Sequence, residues 1–213
     1  GPNHWKELKA TCGGDKQSPV NIDRRWLQRD GGLGDILFEG YDQAPPGKWR
    51  LTNDGHTAAR RSPHGIKRAF WREVSSASSY SRLAGEIHGG SARGGCPHLA
   101  PPCFPQLHIV HINVKYRTLA EAKGHPNGLA VLGFFLQASE TPNTNYNTIV
   151  AGLRNVSHAG DSVDLASTFR LGTLLPRASR LSGYYRYQGS ITTPDCSEAV
   201  VEEPVEIGRE QVL

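Results

Sequence analysis

Leu107-His108-Ile109-Val110-His111-Ile112-Asn113-Val114-Lys115 is a run of aliphatic, largely β-branched residues with two histidines set inside it. Such a run predicts a buried central strand. Its period of two puts His108 with Val110 on one face and His111 on the other, so at most one of the two imidazoles can point into a given pocket. Leu129 to Leu136, a continuous apolar run, predicts a second buried strand. Ile36 to Phe38 and Trp49 to Leu51 are short strand-like runs between Gly, Pro, Asn and Asp, and Tyr184 to Tyr187 reads as another strand. Thr118 to Lys123, Tyr146 to Leu153 and Thr168 to Leu175 fit short helices on the outside. With no internal repeat, the expected fold class is mainly β with peripheral short helices, as one domain over residues 1–213.

Composition narrows the classes further. With 37% hydrophobic and 21% charged residues, the chain is expected to be a soluble domain. No run reaches the roughly 18 to 20 apolar residues of a membrane helix, and no basic-then-apolar leader opens the chain. There is no Met, which fits a mature product or a fragment. The net charge of +4 is concentrated between Thr57 and Pro105, where Arg60, Arg61, Lys67, Arg68, Arg72, Arg82 and Arg93 face only Glu73 and Glu86. A nucleic-acid binder would set such charge on a recognisable element with stacking aromatics, and none is present. The expectation is no nucleic-acid partner.

Residues 57–105 differ from their surroundings in being dominated by Ser, Ala, Gly, Arg and Pro, with apolar periodicity fading. Two readings stand. The segment is a functional divergence, or it is coding sequence read out of frame, which in GC-rich DNA yields this composition. A structureless insertion of that length inside a compact domain is disfavoured.

Several residues could carry chemistry. If Leu83 to His88 is a strand, Glu86 and His88 share one face, and His108 on a neighbouring strand would complete the three ligands of a catalytic zinc site. The plainer alternative is a hydrogen-bonded core histidine at His108 and an exposed carboxylate at Glu86. Gly189-Ser190-Ile191-Thr192-Thr193-Pro194 is a hydroxyl-rich turn, either an ordinary capped loop or a set of hydroxyls aimed at a pocket. Asn155-Val156-Ser157 is a glycosylation acceptor. Cys12, Cys96, Cys103 and Cys196 lack the paired knuckles of a zinc ribbon.

Taken together, Gln17-Ser18-Pro19-Val20-Asn21-Ile22, Asn53-Asp54-Gly55-His56, Leu107 to His111 with Asn113 and Lys115-Tyr116, Gly128 to Gly133 and Tyr184 to Cys196 form an ordered set of blocks. That set resembles the α-class carbonic anhydrases, and within them the extracellular, lipid-anchored members. The resemblance implies a large, twisted, mostly antiparallel central sheet with a conical pocket, and reversible hydration of CO2 to bicarbonate at a zinc ion. It implies His108 as the third zinc ligand and His56 as the proton shuttle. Thr192 would orient the attacking water, Val110, Val131 and Ile191 would form the CO2 wall, and Thr193 would contact substrate. It also implies a Cys12–Cys196 disulfide, an extracellular or cell-surface location with possible attachment to the membrane through a lipid anchor, and a monomer.

The chain departs from the family at several of these places. The first two zinc ligands, a His-x-His in the family, fall on Glu86 and His88. The glutamine supporting the first ligand is Ala84, and the glutamate supporting the third is Gln106. The glutamate that receives the Thr192 proton has no counterpart, no Val-Thr-Trp-Thr-Val-Phe type strand follows Cys196, and the chain stops at Leu213, short of the family's usual end. These departures imply an impaired enzyme, or else an inactive domain or the product of a decayed gene.

Overall fold

The computed structural model describes residues 4–20, 22–44, 47–55, 106–136, 140–176, 181, 183–192 and 195–201 in full, and the strands over 58–61, 68–73, 77–88 and 202–205 through their backbone alone. Among these residues ten strands build one sheet. They are β1 (Leu33–Glu39), β2 (Arg50–Asn53), β3 (Ala58–Arg61), β4 (Arg68–Glu73), β5 (Ala77–His88), β6 (Gln106–Asn113), β7 (Leu129–Phe135), β8 (Ser162–Asp164), β9 (Tyr187–Gly189) and β10 (Val200–Val205). Across the sheet the order is β8-β2-β3-β5-β6-β7-β10-β9, with β4 pairing with both β5 and β1. The ladders are antiparallel except that between β7 and β10, which is parallel.

The alternation read in the opening stretch is what divides the sheet into two unlike faces. Leu107, Ile109 and His111 are buried, whereas Gln106, His108 and Val110 between them are only half-buried. Strand β7 repeats the pattern, with Leu132 and Phe134 buried and Val131, Gly133 and Phe135 half-buried. The buried face packs on Trp49, Leu51, Tyr146, Ile149, Leu171 and Leu174. Three of these, Ile149, Leu171 and Leu174, come from the helix Asn147–Leu153 and the 3-10 turn Leu171–Leu174 that cover that face. The helix lies so close that a Cβ at Gly152 would fall 2.5 Å from Leu165 Cδ2. Burying each such Leu or Ile contributes roughly 1.5–3 kcal/mol, so this face holds the fold. The other face is left for a site.

His111 is fully buried, and its polar atoms are matched. The carbonyl of Ala130 can only accept, so Nδ1 donates to it at 3.3 Å, and Nε2 accepts from the Tyr41 hydroxyl at 2.5 Å. Tyr41→Phe removes that donor while keeping the ring, and is expected to lower unfolding free energy by about 1–3 kcal/mol in urea denaturation. An unchanged midpoint would show that the hydroxyl contributes nothing there.

Several expectations are adjusted. Within residues 57–105 the described strands β3, β4 and β5 form ladders with β2, β1 and β6 although they lack local apolar periodicity. A strand does follow Cys196: β10 is inserted between β7 and β9 although the expected aromatic pattern is missing. The strand expected over Tyr184 to Tyr187 begins only at Tyr187, as β9, and the Tyr184 hydroxyl donates to the Gly34 carbonyl at 2.7 Å. Thr168 to Leu175 forms only the 3-10 turn. The opening strand ends at Asn113, where Tyr116 N–H closes a turn on the Asn113 carbonyl.

Candidate metal centre

The half-buried sheet face is built around His108. The Gln106 side chain, two residues earlier on the same strand and therefore on the same face, accepts a hydrogen bond at 2.9 Å from His108 Nε2. An amide oxygen can only accept, so Nε2 carries the hydrogen and the ring lone pair lies at Nδ1. That is the arrangement by which an outer partner orients a metal-binding imidazole. Glutamine performs the orientation without the negative charge a glutamate would add.

Strand β5 supplies the other two candidate donors, and its register is decided by a bulge. From Tyr80 to Arg82 the partners on β6 run Asn113, Ile112, His111; after an irregularity between Arg82 and Ala84 they run Val110, Ile109, His108, Leu107, Gln106. Continued without the bulge, the first register would pair Glu86 with Leu107, on the buried face. With it, Glu86 is opposite His108 and His88 opposite Gln106. A one-residue slip exchanges the faces of a strand, so the bulge is what assigns positions 86 and 88 to the face of His108.

Two imidazoles and one carboxylate are a legitimate zinc donor set that leaves a position open. The residues present therefore fit the metal that the resemblance implies. Among the described side chains no three metal donors cluster, and Glu86 and His88 are placed by backbone register alone.

Around this centre the structure brings together part of the expected wall. Val110 and Val131 are direct partners across β6 and β7, and Val131 and Ile191 pack on one apolar cluster with Leu129 and Val200. Thr192 follows Ile191 and is half-buried. His56 and Thr193, like Cys96 and Cys103, lie outside the described residues. The chain leading to His56 is fixed up to Gly55: Asn53 Nδ2 donates to the Val156 carbonyl, Asn53 N–H to Asp161, and Asn53 Oδ1 accepts from Gly55 N–H.

The turn bearing Ile191 and Thr192 is held by the expected Cys12–Cys196 disulfide and the Gln17-Ser18 block, together with Asp195 and Glu198, which local sequence reading does not single out. Ser18 and Ser190 are buried and exchange hydrogen bonds, each N–H donating to the other's hydroxyl at 2.9 and 3.0 Å. Cys12 and Cys196 are joined in a disulfide spanning 184 residues of sequence. Gln17 Nε2 donates to the Cys196 carbonyl and to Glu198 Oε1. Asp195 bridges Lys123 and Lys9 at 2.8 and 3.3 Å. Hydrogen bonds from Lys123 and then Lys9 hold the Asp195 carboxyl below its ordinary pKa, and those from Gln17 and then the Lys16 N–H do the same for Glu198. Both carboxylates are therefore ionised at neutral pH, and what they fasten is lost only as the pH falls below the ordinary carboxylate range. Partners so distant in sequence leave no periodic trace; the Gln17-Ser18-Pro19 block was the available signal. A groove of about 920 Å³ lies beside the disulfide and shares no lining residue with the His108 face.

A sequence model of the eukaryotic-type carbonic anhydrases matches residues 1–213. Mouse carbonic anhydrase 15 is 43% identical over 222 residues, covering 100% of this chain and 68% of that protein. Human carbonic anhydrase 6 is 31% identical over 219 residues, covering 98% and 68%, and human carbonic anhydrase 12 is 32% identical over 221 residues, covering 100% and 60%.

Proposed function

Since the chain belongs to the eukaryotic-type carbonic anhydrase family, we propose that it binds zinc through His108, His88 and Glu86 and catalyses the reversible hydration of CO2 to bicarbonate and a proton at a reduced rate. The observation that carries this reading is the Gln106–His108 bond on a face to which the β5 register assigns Glu86 and His88. Zinc held there would supply Lewis acidity that lowers the pKa of a coordinated water, to about 7 in carbonic anhydrase, itself the reference case, and less far beside a carboxylate donor.

The chain's own residues do the rest. Val110, Val131 and Ile191 form an apolar wall against which CO2, having no hydrogen to donate, can lie without competing for polar groups. The Thr192 hydroxyl accepts a hydrogen bond from the attacking water and directs its lone pair toward that wall, and Thr193 contacts the product carboxylate. His56, with an imidazole pKa near neutrality, carries the released proton to solvent. The rate is reduced for three reasons. Glu86 adds negative charge to the donor set, Gln106 lacks the charge that raises ligand basicity, and Thr192 has no carboxylate to take its proton. The carboxylate in place of an imidazole at position 86 is also the observation that favours a second reading, a folded but inactive domain.

Purification in oxidising buffer, zinc analysis, and CO2 hydration with and without a zinc-directed sulfonamide separate the two. About one zinc per chain with weak, sulfonamide-sensitive turnover supports the first reading. A cooperative melt with no zinc supports the second.

The reading extends to location. The Cys12–Cys196 bridge favours an oxidising compartment, hence a secreted or surface-anchored protein, and the resemblance implies a monomer. Asn155 and Ser157 are both exposed on the turn after the helix Asn147–Leu153, which suits a glycan at Asn155. Expression through the secretory pathway should give a glycosidase-sensitive mass shift that disappears in Asn155→Gln. Secretion of an unmodified chain would remove that part of the proposal.

A further inference from the structure

The turn from Ser190 to Glu198 is fastened to the N-terminal segment at both ends. Its start is the buried Ser18–Ser190 exchange. Its end is Glu198, whose Oε1 accepts from Gln17 Nε2 at 2.9 Å and from Lys16 N–H at 2.8 Å. Gln17 Nε2 also donates to the Cys196 carbonyl at 3.1 Å, so one amide group ties two points on the turn. Gly14 completes the cradle, because a Cβ there would overlap the Glu198 carboxylate. The connection to the site is short: Ile191 N–H donates at 3.0 Å to the carbonyl of Ser197, the residue before Glu198, and the carbonyl of Ala199, the residue after it, accepts from Leu129 N–H at 3.0 Å.

We propose that Glu198 is a positioning residue: its carboxylate, cradled by Gly14, Lys16 and Gln17, fixes the turn that presents Ile191 and Thr192 at the candidate metal centre. Its consequence for turnover rests on the zinc-hydratase reading, whereas its consequence for the turn rests on these contacts alone. The test uses the full, oxidised, zinc-supplemented chain with Glu198→Ala, Glu198→Gln and Gly14→Ala. Two quantities are read: amide hydrogen exchange at Ile191, and kcat and KM for CO2 hydration.

Glu198→Ala is expected to speed Ile191 exchange about tenfold and to lower kcat about tenfold, with KM and zinc content unchanged, a size usual for supporting partners of a metal site. Glu198→Gln, whose amide oxygen still accepts both hydrogen bonds, should recover most of both. Gly14→Ala, which keeps the carboxylate and displaces it, should behave like Glu198→Ala, and it decides the matter if Glu198→Ala does not fold. Ile191 exchange at the unaltered rate in Glu198→Ala, or Glu198→Gln as impaired as Glu198→Ala, overturns the proposal. If the unaltered chain hydrates no CO2, the hydratase reading fails, and the exchange measurement still decides the positioning role.

Discussion

Replacing both Cys12 and Cys196 by serine is expected to lower the unfolding free energy by about 5 kcal/mol on the loop-entropy account. The bridge spans 184 residues, so cutting it releases nearly the whole chain in the unfolded state. Domains of this kind are stable by only about 5–15 kcal/mol, so the loss is a large share of what holds the protein. It also frees the turn that carries Ile191 and Thr192, because the Gln17 to Cys196 hydrogen bond and the Asp195 ion pairs are built around the same junction. Guanidinium titrations of the oxidised chain, the reduced chain and the double variant check this. The last two should coincide, both well below the first. A shift under about 1 kcal/mol would mean that the denatured chain is already constrained without the bridge.

Glu86→His is expected to raise CO2 hydration at pH 7 by on the order of 100-fold and to move the midpoint of the pH–rate profile downward. The reason is electrostatic. A carboxylate donor offsets part of the metal's charge, leaving water less acidic, and water on aqueous zinc titrates near pH 9 against about 7 in carbonic anhydrase, itself the reference case. At pH 7 a fall of the midpoint from about 9 to about 7 raises the fraction of reactive base from about 1% to about one half, roughly 50-fold, which gives the stated order of magnitude. The β5 register places position 86 directly opposite His108, so the new imidazole enters the same face without moving the strand. A variant with more zinc but no gain in rate would contradict the role proposed for Glu86 and point to Thr192 and Gln106.

Much of this was legible in the residues. The alternation through Leu107 to Asn113 separated His108 from His111 correctly because the strand lies between two others and is forced to one period. Leu129 to Leu136 was equally plain for the same reason. What the sequence hid has physical causes too. The strands within residues 57–105 follow from ladder hydrogen bonds to neighbours, which any backbone can make and which leave no apolar pattern. The bulge between Arg82 and Ala84 is likewise invisible to a period-two reading, yet it decides on which face Glu86 and His88 fall. Strand β10 carries none of the expected aromatic pattern, and its place is set by pairing with Leu129 to Phe134 on one side and Tyr187 to Gly189 on the other. The anchors Glu198 and Asp195 act on partners at the opposite end of the chain, where no local pattern points.

The most direct test of the proposed centre is zinc K-edge X-ray absorption on the zinc-loaded, oxidised chain. The account predicts a shell of nitrogen and oxygen at about 2.0–2.1 Å with the scattering signature of two imidazoles, falling to one in His108→Ala. Failure to take up zinc, a sulfur shell near 2.3 Å, or a spectrum unchanged by His108→Ala would contradict it.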